Sequence, residues 1–244
     1  MCARSESSFG RVGANGWAAF LLLFPGLLAA EEPRVRVVTL GDSITRGVRA
    51  GVKAEETFSA LLQDGLGKRK VAAEVVNVGI GGERTDQALN RLARAVLALK
   101  PQVVVVMYGT NDSYVDRGQK ECRLSAEQYG ANLRKLVAEI RKAGARPVLM
   151  TPPCWGKKAS PNGAGEHPNV RLEKYVRVCR EVARETKFPL VDHYARWSKR
   201  LTEGGDPGEW TTDQCHPNPR GHREIADALL PVVLEVLGKE KTER

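Results

Sequence analysis

The chain has 244 residues, 42% of them apolar and 27% charged, with a net charge of +9. That is enough for one ordinary domain with a real core, and it excludes a membrane-embedded, a compositionally disordered and a fibrous chain. The dense basic run is confined to Lys68-Arg69-Lys70. A nucleic-acid binder concentrates its charge more than this, so no nucleic-acid partner is expected.

Residues 1–30 read as an export signal. Arg4 and Arg11 give a positive start, an apolar stretch runs from Trp17 to Leu28, and Ala29-Ala30 close it before polar Glu31-Glu32-Pro33. The stretch is too short for a comfortable transmembrane helix. The expectation is a signal peptide at 1–30 and a domain at 31–244. The mature chain is exported (periplasmic or extracellular) and is not stably inserted in a membrane. Removing 1–30 leaves a charge of +8 and four cysteines, Cys122, Cys154, Cys179 and Cys215. Export permits disulfides. Cys179 belongs to the helical series Leu172, Tyr175, Val176, Cys179, Val182, Ala183 and reads as a buried core thiol. Cys154 and Cys215 fall in loops placed near one site, which leaves a bridge between them open.

Strand and helix patterns then alternate. Val35 to Leu40, Ala73 to Val78, Gln102 to Met107, Arg146 to Thr151 and Pro189 to Asp192 are β-rich runs. The unbroken Val103-Val104-Val105-Val106 suits a strand buried on both faces of a parallel sheet. Leu89, Leu92, Val96 and Leu99 mark one helix. Ser125 with Gln128 forms a capping box for another, which stops at Gly144. A last helix runs from about Arg220 to Leu237, with Pro231 expected to kink it. Such alternation means βαβ units and a three-layer α/β/α sandwich around a five-stranded parallel sheet, flavodoxin-like. Ligands of open α/β sheets bind beyond the carboxyl ends of the strands. The loops Pro153–Pro168 and Leu201–Asp213 reach that side and are expected to shape a pocket.

Four motifs fall at those strand ends. Gly41-Asp42-Ser43-Ile44-Thr45 ends the first run. Ser43 is well placed there for a nucleophile, but the tripeptide taken alone favours a helix cap. Asn77-Val78-Gly79-Ile80-Gly81-Gly82-Glu83-Arg84 ends the second. It lacks the third glycine of a dinucleotide fingerprint and the Lys-Ser/Thr of a P-loop. What remains is a turn whose bare N–H groups suit an oxyanion donor or merely a positive φ. Gly109-Thr110-Asn111-Asp112 ends the third, where the Asn111 amide can donate into the crevice or stabilise its own loop. Asp213-Gln214-Cys215-His216-Pro217-Asn218 lies near the C-terminus. Asp213 can reach the Nδ1 of His216 while Nε2 faces elsewhere, the arrangement a general base needs; the alternative is a helix-capping Asp beside an unrelated surface His.

Taken together and in this order, Gly41-Asp42-Ser43, Gly82, Asn111 and Asp213/His216 resemble the four blocks of the SGNH hydrolases, or GDSL lipases/acylhydrolases. The resemblance covers roughly residues 34 to 240. It implies a serine esterase acting through an acyl-enzyme. Ser43 matches the nucleophile, His216 the base and Asp213 the acid orienting it. The Ser43 N–H, the Gly82 N–H and the Asn111 side chain match the oxyanion hole, with Gly79 and Gly81 as further candidates for the glycine. No cofactor and no metal are implied, and His167, His193 and His222 read as structural or surface residues.

The resemblance spans acetylated sugars, lysophospholipids, thioesters and aryl esters. Trp155 and Trp210 stand among polar neighbours in the two loops, which suits stacking on a sugar or packing within the loop. Arg84 is placed to meet a substrate anion or to form a salt bridge. The expectation is O-deacetylation of a carbohydrate, the partner being a small-molecule or polysaccharide ester. The alternatives are a lysophospholipase or thioesterase for longer acyl chains, and an inactive carbohydrate-binding module on the same fold. A flavin or nucleotide binder is disfavoured by the missing phosphate loop.

Overall fold

The computed structural model describes residues 34–242, and the signal expected at 1–30 lies outside them. Each β-rich run becomes a strand: β1 (Val35–Gly41), β2 (Ala73–Asn77), β3 (Val103–Met107), β4 (Arg146–Thr151) and β5 (Leu190–Asp192). They pair in parallel in the order β2-β1-β3-β4-β5. A single-turn helix, α1 (Ser43–Arg46), follows β1.

All five residues of the central β3 are buried. A parallel strand covered on both faces needs no polar alternation, which is why its sequence is an unbroken apolar run. Successive side chains point to opposite faces, and the core divides accordingly. Val37, Val103, Val105, Met107 and Val148 pack with α2 (Phe58–Lys68) and with two later helices described below. Val38, Leu40, Val104, Val106 and Leu149 pack with α3 (Thr85–Ala95), α4 (Ala126–Lys142) and α5 (Pro168–Thr186). Returning to the first face, α6 (His193–Thr202) and α7 (Pro219–Thr242) complete the three layers.

Helix α4 starts on the expected box. The Gln128 N–H donates to Ser125 Oγ at 3.2 Å, and the Ser125 N–H donates to Gln128 Oε1 at 3.0 Å. It ends with Gly144 N–H on Arg141 O and Ala145 N–H on Ile140 O, the bond pair of a Schellman motif. Three details differ from the sequence reading. Helix α3 stops at Ala95, and Leu97–Leu99 continue as a 3-10 turn. Helix α7 runs on through Pro231 to Thr242. Helices α2 and α6 have no counterpart in that reading. Helix α2 carries Gly65 and Gly67, poor helix formers. Gly65 is packed against α7, since a Cβ there would lie 2.9 Å from Leu230 Cδ2.

The strand order places a switch point between β1 and β3: the chain leaves β1 towards β2 and returns to β3 on its other side. Gly41 and Met107 are register partners at the ends of these two strands. A Cβ on Gly41 would stand 2.6 Å from the Met107 carbonyl oxygen and would also collide with the Thr45 hydroxyl. Gly41→Ala is therefore expected to destabilise the protein by about 1–3 kcal/mol, as overpacking does. A urea titration with an unchanged midpoint would contradict this.

Candidate active site

Asp42, the first residue past β1, is fully buried and caps α1, its Oδ1 accepting from the Ile44 N–H at 2.9 Å. The capping role considered for Ser43 thus falls to its neighbour. The Ser43 Oγ is left free to meet His216 Nε2 at 2.8 Å.

Asp213 and His216 are joined by their own turn. Asp213 Oδ1 accepts the backbone N–H of Cys215 at 3.2 Å and of His216 at 2.8 Å, and Gln214 between them takes a left-handed φ of 71°. Asp213 Oδ2 lies 2.8 Å from His216 Nδ1. A carboxylate only accepts, so Nδ1 carries the proton and the Nε2 lone pair faces the Ser43 hydroxyl. Burial works to raise the Asp213 pKa, but the His216 N–H, its imidazole and the Cys215 N–H outweigh it and hold the carboxyl at about 2. Desolvation lowers the His216 pKa below its ordinary value, against the opposing pull of Asp213. The imidazole is therefore neutral at neutral pH and able to accept a proton.

Arg49 is an unforeseen neighbour. It donates from Nη2 to Asp213 Oδ2 at 2.7 Å, held by the tight turn in which it pairs with Val52. Nothing in the sequence links it to a partner 164 residues away.

The glycine loop after β2 runs beside α1. The Gly79 N–H is taken by Asn77 Oδ1 at 2.9 Å, and a Cβ on Gly79 would strike the backbone of Thr45 and Arg46. Gly79 is therefore a packing glycine. Gly82 has a φ of 77° with open space around its Cα, so its conformation selects glycine. After β3, Asn111 Nδ2 donates to Asp42 Oδ2 at 3.2 Å. Burial raises the Asp42 pKa to about 7; the Ile44 N–H resists this, and the nearby carboxyl of Asp112 adds to it.

Ser43, Asn111, Cys215 and His216 line a cavity of about 140 Å³ together with Tyr114, Arg123 and Trp155. Trp155 stacks on Tyr114, with ring centres 6.0 Å apart and planes at 23°. A larger cleft of about 660 Å³ lies between the start of α4 and α5, but it holds no serine–histidine pair. Chemistry rather than size marks the site.

Two expected contacts are corrected. Trp210 is buried in the core, set edge-on against Trp197 at 5.2 Å with Arg200 over its ring. It does not line the cavity. Arg84 opens α3 and is bonded through Nε and Nη2 to Asp86, so it forms the salt bridge rather than facing the cavity. The four described cysteines are free thiols, and burial pushes Cys154 up to about 12. Cys154 and Cys215 are not bridged. His193 and His222 are buried, and His167 caps α5. Among the described residues no three His, Cys, Asp or Glu side chains gather as a metal site. No described helix is long and apolar enough to cross a membrane.

The chain is similar to known proteins over most of its length. The sequence model of the GDSL-like Lipase/Acylhydrolase family matches residues 39–224. An acetylxylan esterase of Geobacillus stearothermophilus is 31% identical over 211 residues, 80% of this chain and 92% of that protein. The isoamyl acetate-hydrolyzing esterase 1 homolog of Bos taurus is 28% identical, covering 84% of this chain and 85% of that protein. The crystal structure of a lipase/acylhydrolase from Enterococcus faecalis superposes with a TM-score of 0.70 at 25% identity, over 84% of this chain and 96% of that one.

NMR titration of the His216 ring should give a pKa below 6.5, the direction burial and the nearby cations set. The Arg49 charge is among those that lower it. Arg49→Ala removes a cation, stabilises the imidazolium and should move the titration to higher pH; an unmoved curve would contradict the coupling.

Proposed function

The chain belongs to the GDSL-like lipase/acylhydrolase family and is a carboxylic ester hydrolase, and from this we propose that it removes acetyl groups from a carbohydrate. In this reading Ser43 is the nucleophile, His216 the general base, and Asp213 the carboxylate that orients and stabilises the imidazolium. The Ser43 N–H, the Gly82 N–H and the Asn111 Nδ2 form the oxyanion hole. Residues 1–30 direct export, so the substrate is met outside the cytoplasm.

The mechanism follows from these roles. His216 Nε2 takes the Ser43 proton as Oγ attacks the ester carbonyl carbon. The carbonyl π electrons move onto oxygen, where three N–H donors hold the charge. Collapse of the tetrahedral intermediate breaks the bond to the sugar oxygen, which leaves with the proton from His216. Water, deprotonated by His216, then attacks the acetyl–Ser43 ester. Its collapse releases acetate and returns the proton to Ser43.

One observation carries the acetyl preference: the cavity at Ser43 is about 140 Å³ and its wall is polar and aromatic. Thr110, Asn111 and His216 offer hydrogen bonds, and Trp155 on Tyr114 offers a flat face for a pyranose ring. A fatty chain finds no long apolar channel in this lining. The acetylxylan esterase relative supports the same reading.

Initial rates on p-nitrophenyl acetate, octanoate and palmitate, together with acetate release from acetylated xylan and pectin, test it. The expected result is short-chain activity with acetate released from a polysaccharide. Ser43→Ala should fall to background, and Asn111→Ala should lose about a hundredfold in kcat. Preference for the long chains would overturn the acetyl assignment. Equal rates for wild type and Ser43→Ala would overturn the nucleophile.

A further inference from the structure

We propose that Arg123 is a positioning residue for the oxyanion hole, which locks the Asn111 amide with its N–H₂ end turned towards Ser43. The proposal rests on Asn111 being an oxyanion donor, as read above. An amide side chain can be flipped end for end with little change of shape, and only one orientation presents donors to the cavity. Two fixed groups meet the amide here. Arg123 Nη1 donates to Asn111 Oδ1 at 3.0 Å, and Asp42 Oδ2 accepts from Asn111 Nδ2 at 3.2 Å. A guanidinium has no acceptor and an ionised carboxylate has no donor. The flipped amide would set N–H against the guanidinium, which Arg123 rejects at any pH, and carbonyl against Asp42, which rejects it in its ionised form, so Arg123 is the group that fixes the orientation. One Nδ2 hydrogen is used by Asp42, and the second is free for the substrate oxygen.

Arg123 is itself held in place. Its Nε and Nη2 form a two-pronged pair with Asp116, at 2.9 and 2.7 Å, and its guanidinium lies over the Tyr114 ring, 5.1 Å from the centre. Its backbone N–H donates to Tyr114 O at 3.0 Å, and the next N–H, of Leu124, donates to Asp112 O at 3.1 Å. The segment is thereby tied to the loop that carries Asn111. With its charge answered by Asp116, Arg123 is less available to capture a substrate anion and more suited to orienting a neighbour. A lysine supplies one point charge and cannot hold Asp116 with two prongs while reaching Asn111.

The test is a double-mutant cycle on the full chain, read as separate kcat and KM with p-nitrophenyl acetate for R123A, N111A and N111A/R123A. R123A should lower kcat by about 10- to 100-fold, as a misplaced catalytic group does, with KM nearly unchanged. Adding R123A to N111A should cost nothing more, because no amide is left to orient. Should R123A fail to fold, R123K, which keeps the charge but not the fork, is read in the same way. A raised KM at unchanged kcat would make Arg123 a substrate contact and overturn the proposal. Multiplying losses in the double variant would show action independent of Asn111 and overturn it too. An N111A enzyme as fast as wild type would instead overturn the oxyanion reading itself, and this proposal with it.

Discussion

The ends of β1 and β3 lie side by side, with Gly41 opposite Met107, and the site depends on this adjacency. Because β2 lies on the far side of β1, the loops leaving β1 and β3 have no strand between them. Ser43 follows one and Asn111 follows the other. Asp42 joins them, its two carboxylate oxygens taking the α1 N–H of Ile44 and the amide of Asn111. A larger residue at 41 would force the strands apart, and a different strand order would separate the groups completely. The layered core serves this end by fixing the strands from both faces.

Charge in the site is arranged in graded surroundings. Asp42 is buried, and its pKa is pushed up to about 7. Asp213 is partly exposed and is held at about 2 by the N–H groups of its own turn and by the imidazole. The same side chain type thus does two jobs: a buried brace under the donors, and a firmly ionised partner for His216. Arg49 on Asp213 and Arg123 on Asn111 add a cation behind each working group. These arginines touch the groups that the mechanism uses while their own charges are answered by Asp213 and Asp116.

Most of the frame was legible in the sequence because local signals and burial agree. The strands β1 and β3 are runs rich in β-branched residues, and α4 carries both its cap and its terminating glycine. Helix α6 escaped notice because it is polar and buries little beyond His193 and Trp197. Helix α2 is hidden because its two glycines argue against a helix, and the neighbour that Gly65 answers, Leu230, lies far along the chain. The site showed the same divide. Ser43, Asn111, Asp213 and His216 sit in motifs at element ends, where position alone suggests a role. The burial of Trp210 is not legible in the sequence because Trp197, Arg200 and Arg220 pack on it from positions that no local pattern connects to it. Arg49 and Arg123 had no motif at all, and only the fold brings their partners to them.

In the proposed reading Ser43, activated by His216, becomes covalently acylated. This is tested most directly by treating the protein with a fluorophosphonate, which traps activated serine nucleophiles, and mapping the adduct by peptide mass spectrometry. One equivalent of label is expected on the peptide containing Ser43, with esterase activity lost in proportion. Label on a different residue, or full activity surviving complete labelling of Ser43, would contradict it.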